Sequence, residues 1–237
     1  MSKLRANSYI IFDYETGGLA SKSSDPNMRK LPDPKVVPIV EFAAIVLNGS
    51  DLSEILRYEN IIRPYDDKLE YQEGATKIHG ISKAKALKEG ISLKQFGQDF
   101  VTLCKEAGDV STRYTKPVMV AHNCGYDNPF TEDLCERERI DPSKILHGYV
   151  GQDGKYKLIT IDTIIDAKKM WGGDPSMTSF NLKACCDKAG VDLVDAHRAM
   201  PDVESLADLF RYFVQHTRTG TGNLAFEGGR YRKSFQF

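Results

Sequence analysis

The sequence has no long apolar segment and no cysteine spacing typical of a zinc site. No stretch approaches the roughly 20 consecutive apolar residues of a membrane helix, and residues 1–5 lead into no signal-like apolar region. The five cysteines form an odd number without any C-x-x-C spacing, which argues against a disulfide framework and against bound zinc. We therefore expect a cytoplasmic protein with reduced cysteines and no membrane partner.

The chain also lacks a marked excess of charge of either sign. Its formal net charge is −1, so a polyanionic partner would have to be bound by a local basic groove or through metal ions. With 237 residues, 41% of them hydrophobic, the chain is expected to form one globular domain. We assign residues 1–216 to this domain. Residues 217–237 are Gly-rich with basic and aromatic side chains, and we assign them to a flexible tail.

Two carboxylates follow the first apolar run. Residues 9–12 predict a buried strand, and Asp13 and Glu15 come at its end with one residue between them. Because side chains alternate along a strand, both carboxylates should face the same side, with Cα atoms about 6–7 Å apart. Like charges held so close favour a bound cation. On its own, however, an Asp-x-Glu tripeptide is more typical of a solvated strand end.

Other segments predict a sheet covered by helices. Residues 39–47 and 55–63 are expected to form an antiparallel meander with the first strand, and residues 117–121 a short buried strand. A core helix ending near Gly108 is predicted by apolar residues at spacings of three and four, namely Leu93, Phe96, Phe100 and Leu103. Residues 21–38 predict an unusually long loop.

Later segments complete the predicted fold. Residues 151–154 predict a hairpin or loop before a last strand at 158–163. After that strand, Thr178 or Ser179 is expected to cap a helix that continues through Lys188.

A third carboxylate follows the predicted strand at residues 117–121. Pro129 suits the first position of a helix, which would make Asn128 the cap and carry the helix to about Ile140. Asp127 would then lie just before the helix, beyond the carboxyl end of the strand, where open α/β sheets place their sites. On position alone, Asp127 is either a helix-capping residue or a site residue.

A histidine and a fourth carboxylate flank the start of the last predicted helix. Pro201 disfavours helical geometry at Met200 and suits the first helical position, so the helix is expected to begin at Pro201. His197 would then lie in the preceding loop, and Asp202 in the first helical turn. On one continuous helix the two side chains would lie on different faces, whereas a loop allows His197 to fold over the carboxylates.

Taken together, these segments resemble the DEDDh family of 3′→5′ exonucleases. Residues 12–19 are similar to its first motif, Phe-Asp-x-Glu-Thr-Thr-Gly-Leu, with Gly17 in place of the second Thr. Residues 122–127 resemble its second motif, and His197 followed by Asp202 resembles the third, whose histidine defines this branch. Residues 75–82 are similar to the family's Ile-His-Gly-Ile-Thr segment. The resemblance extends from residue 9 to about 213.

The resemblance implies an α/β fold of the ribonuclease-H-like type, in which three antiparallel and two parallel strands form a mixed five-stranded sheet with helices on both faces. It implies two divalent cations, Mg²⁺ or Mn²⁺, held by Asp13, Glu15, Asp127 and Asp202. Asp13 would bridge both ions, with Glu15 and Asp202 on the nucleophile-side ion and Asp127 on the other.

The remaining site residues are implied in the same way. His197 would be the general base, since imidazole titrates near neutral pH. The implied substrate contacts are Thr16, Leu19, His79 and Asn123. Asp162 belongs to a matching strand, where we expect a structural role.

The implied reaction is hydrolysis at the 3′ end of single-stranded, frayed or mismatched DNA, which releases nucleoside 5′-monophosphates. An RNA-trimming exoribonuclease of the same family is an alternative, because no residue pattern here reports on the 2′-hydroxyl. A polymerase-associated proofreading or binding module is another, and the tail is a candidate contact with nucleic acid or a replication partner. A purely structural domain would leave the matched motifs unexplained.

Overall fold

The computed structural model describes residues 8–19, 33–108, 115–193 and 197–219. Seven strands occur in these residues: β1 (Tyr9–Thr16), β2 (Ile39–Leu47), β3 (Glu54–Ile61), β4 (Val118–Ala121), β5 (Gly148–Val150), β6 (Tyr156–Leu158) and β7 (Thr160–Asp162). Five of them form one sheet in the order β3-β2-β1-β4-β7. Strands β5 and β6 form a separate hairpin around residues 151–154, where the turn residues predict one.

The pairing of the large sheet is mixed. Strand β2 pairs antiparallel with both β1 and β3, whereas β4 pairs parallel with both β1 and β7. This arrangement confirms the predicted sheet of three antiparallel strands extended by two parallel ones.

Helices cover both faces of this sheet. The described α-helices are α1 (Glu73–His79), α2 (Lys83–Glu89), α3 (Leu93–Ala107), α4 (Asn128–Arg137), α5 (Thr163–Trp171), α6 (Leu182–Ala189) and α7 (Ala199–Thr219). Alternate residues of β1 enter different cores. Phe12 packs with residues of α3 and α4, whereas Ile11 packs with residues of α7. Since Asp13 and Glu15 continue the series that includes Ile11, they lie on the α7 face.

Three of the described helices were not predicted from the sequence. Helix α1 ends at His79, α2 follows it, and α5 follows β7 directly. Helices α1 and α2 have 7 residues each, too few for a strong amphipathic repeat. Helix α2 is fixed instead by Ser82, whose side chain accepts a hydrogen bond from the amide of Lys85.

Several predicted boundaries are wrong for local reasons. Helix α4 ends at Arg137 rather than near Ile140, because Arg139 adopts φ +55° and turns the chain out of the helix. Helix α6 is capped by the side chain of Asn181, which accepts from the amide of Ala184, and not by Thr178 or Ser179.

Helix α7 runs to Thr219 and so includes the first three residues that we assigned to the tail. Residues 220–237, the rest of that segment, lie outside the described residues, as does most of the predicted loop at 21–38. All five cysteines are buried and free, as predicted. No helix in the described ranges combines the length and the apolar character that crossing a membrane requires.

Candidate active site

Carboxylates from the two ends of the described chain meet beside β1. Asp13 and Glu15 of β1 and Asp202 of α7 each present an oxygen atom, and these atoms all lie within 4.8 Å of one another. The meeting follows from the fold, because the two β1 carboxylates face α7 and Asp202 lies in the first turn of that helix. All three residues are partly buried.

Asp127, which follows β4, lies next to β1 but is not among the three residues whose oxygen atoms meet within 4.8 Å. It occupies the N-cap position of α4, so Asn128 is not the cap as predicted. Among the described residues the Asp127 carboxylate makes no capping hydrogen bond; its Oδ1 atom lies 3.4 Å from the amide nitrogen of Tyr14, the residue between Asp13 and Glu15. The Asp127 side chain is therefore directed at β1, which decides against the helix-capping alternative.

The crowding of these carboxylates opposes their ionisation. Burial and the negative charges of Asp202 and Glu41 raise the pKa of Asp13 to about 7. Burial, with Asp13 as the strongest neighbouring charge, raises the pKa of Glu15 to about 9. The pKa of Asp127 is raised by burial and by the charge of Asp13. Such a group of hard oxygen donors fits Mg²⁺ or Mn²⁺, and a bound cation would relieve the repulsion.

His197 lies just outside α7, as predicted, although the helix begins at Ala199 rather than at Pro201. Met200 is helical although a proline follows it. The steric clash between a proline ring and the preceding residue disfavours helical geometry without forbidding it. The missing amide hydrogen of Pro201 costs no bond, because the first amides of a helix have no partner within the helix. The exposed His197 adopts φ +77°, and its amide donates to Oδ2 of Asp202 over 3.1 Å. Burial raises the pKa of Asp202, and this hydrogen bond opposes the increase.

Asn123 lies in the turn between β4 and Asp127. Its φ is +77°, and its amide donates to Oδ1 of Asp162 over 2.9 Å. The other carboxylate oxygen of Asp162 accepts from the amide of Cys124 at 3.1 Å. Oδ1 also accepts from the amide of Ile164 at 3.0 Å and so caps α5. Asp162 is therefore engaged in structural bonds, as expected.

Leu19, Thr16 and His79 lie at or beyond the carboxyl end of β1. Leu19 is 43% exposed, and its backbone is held by the side-chain amide of Gln72, which accepts from the Leu19 amide at 3.1 Å and donates to its carbonyl at 2.9 Å. Thr16 ends β1 and donates from Oγ1 to the carbonyl of Gly18 at 3.2 Å.

His79 is buried at the end of α1, not in a loop. Its Nδ1 atom accepts from the amide of Ile81 at 3.1 Å, and its Nε2 atom has no hydrogen-bond partner in the described part of the chain. Burial lowers its pKa, an effect that the backbone of Thr16 partly offsets.

Sequence reasoning missed two charged residues at this site. Glu41 is fully buried in β2, and Arg198 follows His197; their side chains form an ion pair with an N–O distance of 2.6 Å. A signal for Glu41 was present, because it is the one charged residue of an otherwise apolar strand of 9 residues. Its partner, 157 residues away, could not be recognised without the fold.

Fold and site together define a ribonuclease-H-like α/β protein with an acidic cluster at the end of its central strand. A model of the exonuclease family RNase_T matches residues 10–210, and the chain belongs to this family. The resemblance to DEDDh-type 3′→5′ exonucleases is thereby confirmed.

Relatives and solved structures agree with this family. The PolC-type DNA polymerase III of Thermotoga maritima is 24% identical over 207 residues, covering 87% of this chain and 12% of the polymerase. This chain thus spans about an eighth of that relative's length. Escherichia coli Exonuclease I in complex with a dT13 oligonucleotide has the same fold, with a TM-score of 0.64 and 21% identity over 90% of this chain and 42% of that one. A zinc-bound complex of the same enzyme with single-stranded DNA gives a TM-score of 0.65 and 22% identity, over 91% of this chain and 41% of that one.

Proposed function

We propose that this chain is a metal-dependent 3′→5′ exonuclease that hydrolyses the terminal phosphodiester bond of DNA and releases nucleoside 5′-monophosphates. The observation that carries the proposal is the meeting of Asp13, Glu15 and Asp202 within 4.8 Å, in a chain of the exonuclease family. Asp127, directed at the same strand from β4, completes the set of four carboxylates.

Two divalent ions would be held by these four carboxylates. Asp13, Glu15 and Asp202, whose oxygen atoms meet, would hold the ions together with Asp127 from the start of α4. When bound, such ions supply Lewis-acid stabilisation of the charge on both oxygens. The donor set supports Mg²⁺ or Mn²⁺, because every ligand is a carboxylate oxygen.

His197 would act as the general base. It would take the proton of the water whose oxygen attacks phosphorus, while the bond from phosphorus to the 3′ oxygen of the preceding nucleotide breaks and that oxygen takes up a proton from solvent. Two features support this role: the imidazole is exposed, and the amide of the same residue is bonded to the cluster through Asp202. The imidazole would then lie at the rim of the carboxylate cluster, where it could accept the proton.

The substrate contacts are proposed from where Leu19, His79 and Asn123 lie relative to the carboxylates. Leu19 is an exposed apolar side chain on a backbone fixed by Gln72, and it would pack against the terminal nucleotide. His79 would contact the nucleotide from the end of β1, where its ring lies next to the backbone of Thr16. Asn123 would approach the nucleotide from the turn that leads to Asp127.

DNA is favoured over RNA by the relatives, one of which is a DNA polymerase and another an exonuclease complexed with dT13. A polymerase partner is part of the proposal for the same reason, and the predicted tail is its candidate contact.

The test is digestion of a DNA oligonucleotide labelled at its 5′ end, with a matched RNA oligonucleotide in parallel. With Mg²⁺ we expect a ladder that shortens from the 3′ end, and none with EDTA. Asp13→Asn and Asp202→Asn should each lower the rate at least about 100-fold because a metal ligand is lost. Asp187→Asn, which changes an exposed carboxylate paired with Lys183, is the matched control and should retain full activity. Full activity of either site variant would refute the proposal.

His197 is tested separately from the metal ligands. His197→Ala should lower kcat about 100-fold, in the range expected for loss of a general base, while the affinity for Mn²⁺ stays within about twofold. An unchanged kcat would remove His197 from the mechanism.

A further inference from the structure

Glu41 is a buried charge placed beside the carboxylate cluster. It lies directly opposite Glu15 in the antiparallel pairing of β1 and β2, so the two side chains share the α7 face. Like charges in directly opposed positions of a sheet destabilise it. The negative charge of Glu41 also contributes to the raised pKa values of Asp13 and Glu15.

Arg198 compensates this charge with a forked contact. Its Nε atom donates to Oε2 of Glu41 at 3.1 Å, and its terminal NH2 group donates to Oε1 at 2.6 Å. Oε2 also accepts from the amide of Ala199, the first residue of α7, at 3.1 Å. Both carboxylate oxygens of Glu41 are therefore engaged, which leaves this residue unsuited to binding a metal ion.

These contacts tie the start of α7 to β2 at the residues that follow His197. On the other side, the His197 amide donates to Asp202. The backbone of His197 is thus held by its own bond to Asp202 and by the bonds of the two residues that follow it, in a conformation with φ +77°, which is uncommon for a residue other than glycine. Such a conformation persists only when the surrounding contacts enforce it.

We propose that Glu41 and Arg198 are positioning residues that hold His197 over the carboxylate cluster. The inference rests on the proposed function of His197 as the general base. Arg198 has two tasks in this arrangement: it fixes the loop through its planar fork, and it offsets the Glu41 charge next to Glu15. A lysine would keep the charge but lose the fork.

The first test separates catalysis from binding. Arg198→Lys and the charge-conserving double variant Glu41→Gln/Arg198→Met should each lower kcat about 10- to 100-fold, since a small misplacement of a catalytic group has an effect of this size. KM and the affinity for Mn²⁺ should stay within about twofold. The double variant is included because removing Arg198 alone leaves a buried unpaired carboxylate and risks unfolding.

Arg57 supplies the matched control. Its guanidinium bonds Glu204 at 2.8 Å and so also joins the sheet to α7, but through Glu204 rather than through the residues next to His197. Arg57→Met should leave kcat within about twofold of the wild type. A wild-type kcat in both Arg198→Lys and the double variant would overturn the proposal, as would an equal loss in Arg57→Met.

The second test does not depend on activity. In a ¹H–¹³C NMR spectrum of the metal-free protein, the His197 ring resonance, assigned with His197→Gln, should shift or broaden in Arg198→Lys and in the double variant and stay in place in Arg57→Met. An unmoved resonance in both Arg198 variants would overturn the positioning role. If the wild type degrades no nucleic acid, the proposed function fails, whereas this spectrum still decides whether Glu41 and Arg198 position His197.

Discussion

At Gly17, two other segments approach too closely for a side chain. A Cβ atom here would lie 2.5 Å from the carbonyl oxygen of Glu70 and 2.5 Å from Cδ of Pro38. The Gly17 backbone is also hydrogen bonded, since its amide donates to Pro38 at 2.9 Å and its carbonyl accepts from Gln72 at 2.7 Å. Packing therefore requires glycine at position 17, where the family has its second Thr, and the backbone bonds of Gly17 hold the end of β1 in place.

Restoring the family residue should destabilise this protein. Gly17→Thr is expected to lower the free energy of unfolding by about 1–3 kcal/mol, because the Glu70 carbonyl belongs to the backbone and cannot move aside easily. Urea denaturation measures the change. Gly74→Ala is the control: it lies in α1 with no atom within 4 Å of the added Cβ, and it should stabilise by about 0.4–1 kcal/mol. Wild-type stability of Gly17→Thr would contradict this account of the motif.

Among single residues, the three carboxylates that meet beside β1 could be singled out because each is part of a local pattern. Asp13 and Glu15 end an apolar strand, and Asp202 follows a proline that marks a helix start. Glu41 carries a local signal too, a charge within an apolar strand, yet its role depends on Arg198 from the far end of the chain. An ion pair between residues so far apart follows from the sheet register and from the packing of α7 on the sheet, and neither can be read from the sequence.

At the scale of elements, Asp162 connects three parts of the site's framework. Its carboxylate ends β7, caps α5 and accepts from two amides of the turn that leads from β4 to Asp127. The position of Asp127 therefore depends on a residue that does not belong to the cluster.

Asp162→Ala should damage both the fold and the metal site. Loss of the acceptor leaves amides of the turn and of α5 unpaired, so we expect the free energy of unfolding to fall by about 1–3 kcal/mol. Affinity for Mn²⁺, measured by calorimetry, should fall with it because Asp127 is no longer held. Asn181→Ala removes the cap of α6 and should cost about 1 kcal/mol without changing Mn²⁺ affinity. Unchanged Mn²⁺ affinity in Asp162→Ala would show that the turn is fixed by other contacts.

Elements with a strong periodic pattern could be predicted nearly to the residue. Strand β2 has the predicted bounds, and α3 contains the whole predicted apolar pattern and ends at Ala107, next to the predicted Gly108. Helices α1 and α2 could not be found in this way, since short helices depend on caps and on tertiary contacts rather than on an apolar repeat. The end of α4 is set by Arg139, which adopts the left-handed conformation although arginine has no strong preference for it.

For the whole molecule, the cluster makes stability depend on pH and on metal. In the metal-free protein the pKa values of Asp13 and Glu15 are about 7 and about 9, above their ordinary values of 3.8 and 4.5. Between the ordinary and the raised values, the folded state binds more protons than the unfolded state. The free energy of unfolding contributed by these groups therefore falls as the pH rises through this window.

Calorimetric unfolding in EDTA and in Mg²⁺ measures this dependence. In EDTA the wild type should lose Tm between pH 5 and pH 8 relative to the double variant Asp13→Asn/Glu15→Gln, which lacks both raised groups. Mg²⁺ should raise the wild-type Tm more at pH 8 than at pH 5, since protons compete with the metal. An equal Mg²⁺ effect in wild type and variant would show that the ion binds elsewhere.

The claim on which the function depends is that four distant carboxylates together bind divalent cations, and anomalous diffraction from a crystal grown with Mn²⁺ tests it most directly. The account predicts two manganese peaks among Asp13, Glu15, Asp127 and Asp202, one of them contacting Asp13, Glu15 and Asp202. Manganese peaks only at other places on the protein, with these four carboxylates free of metal, would contradict it.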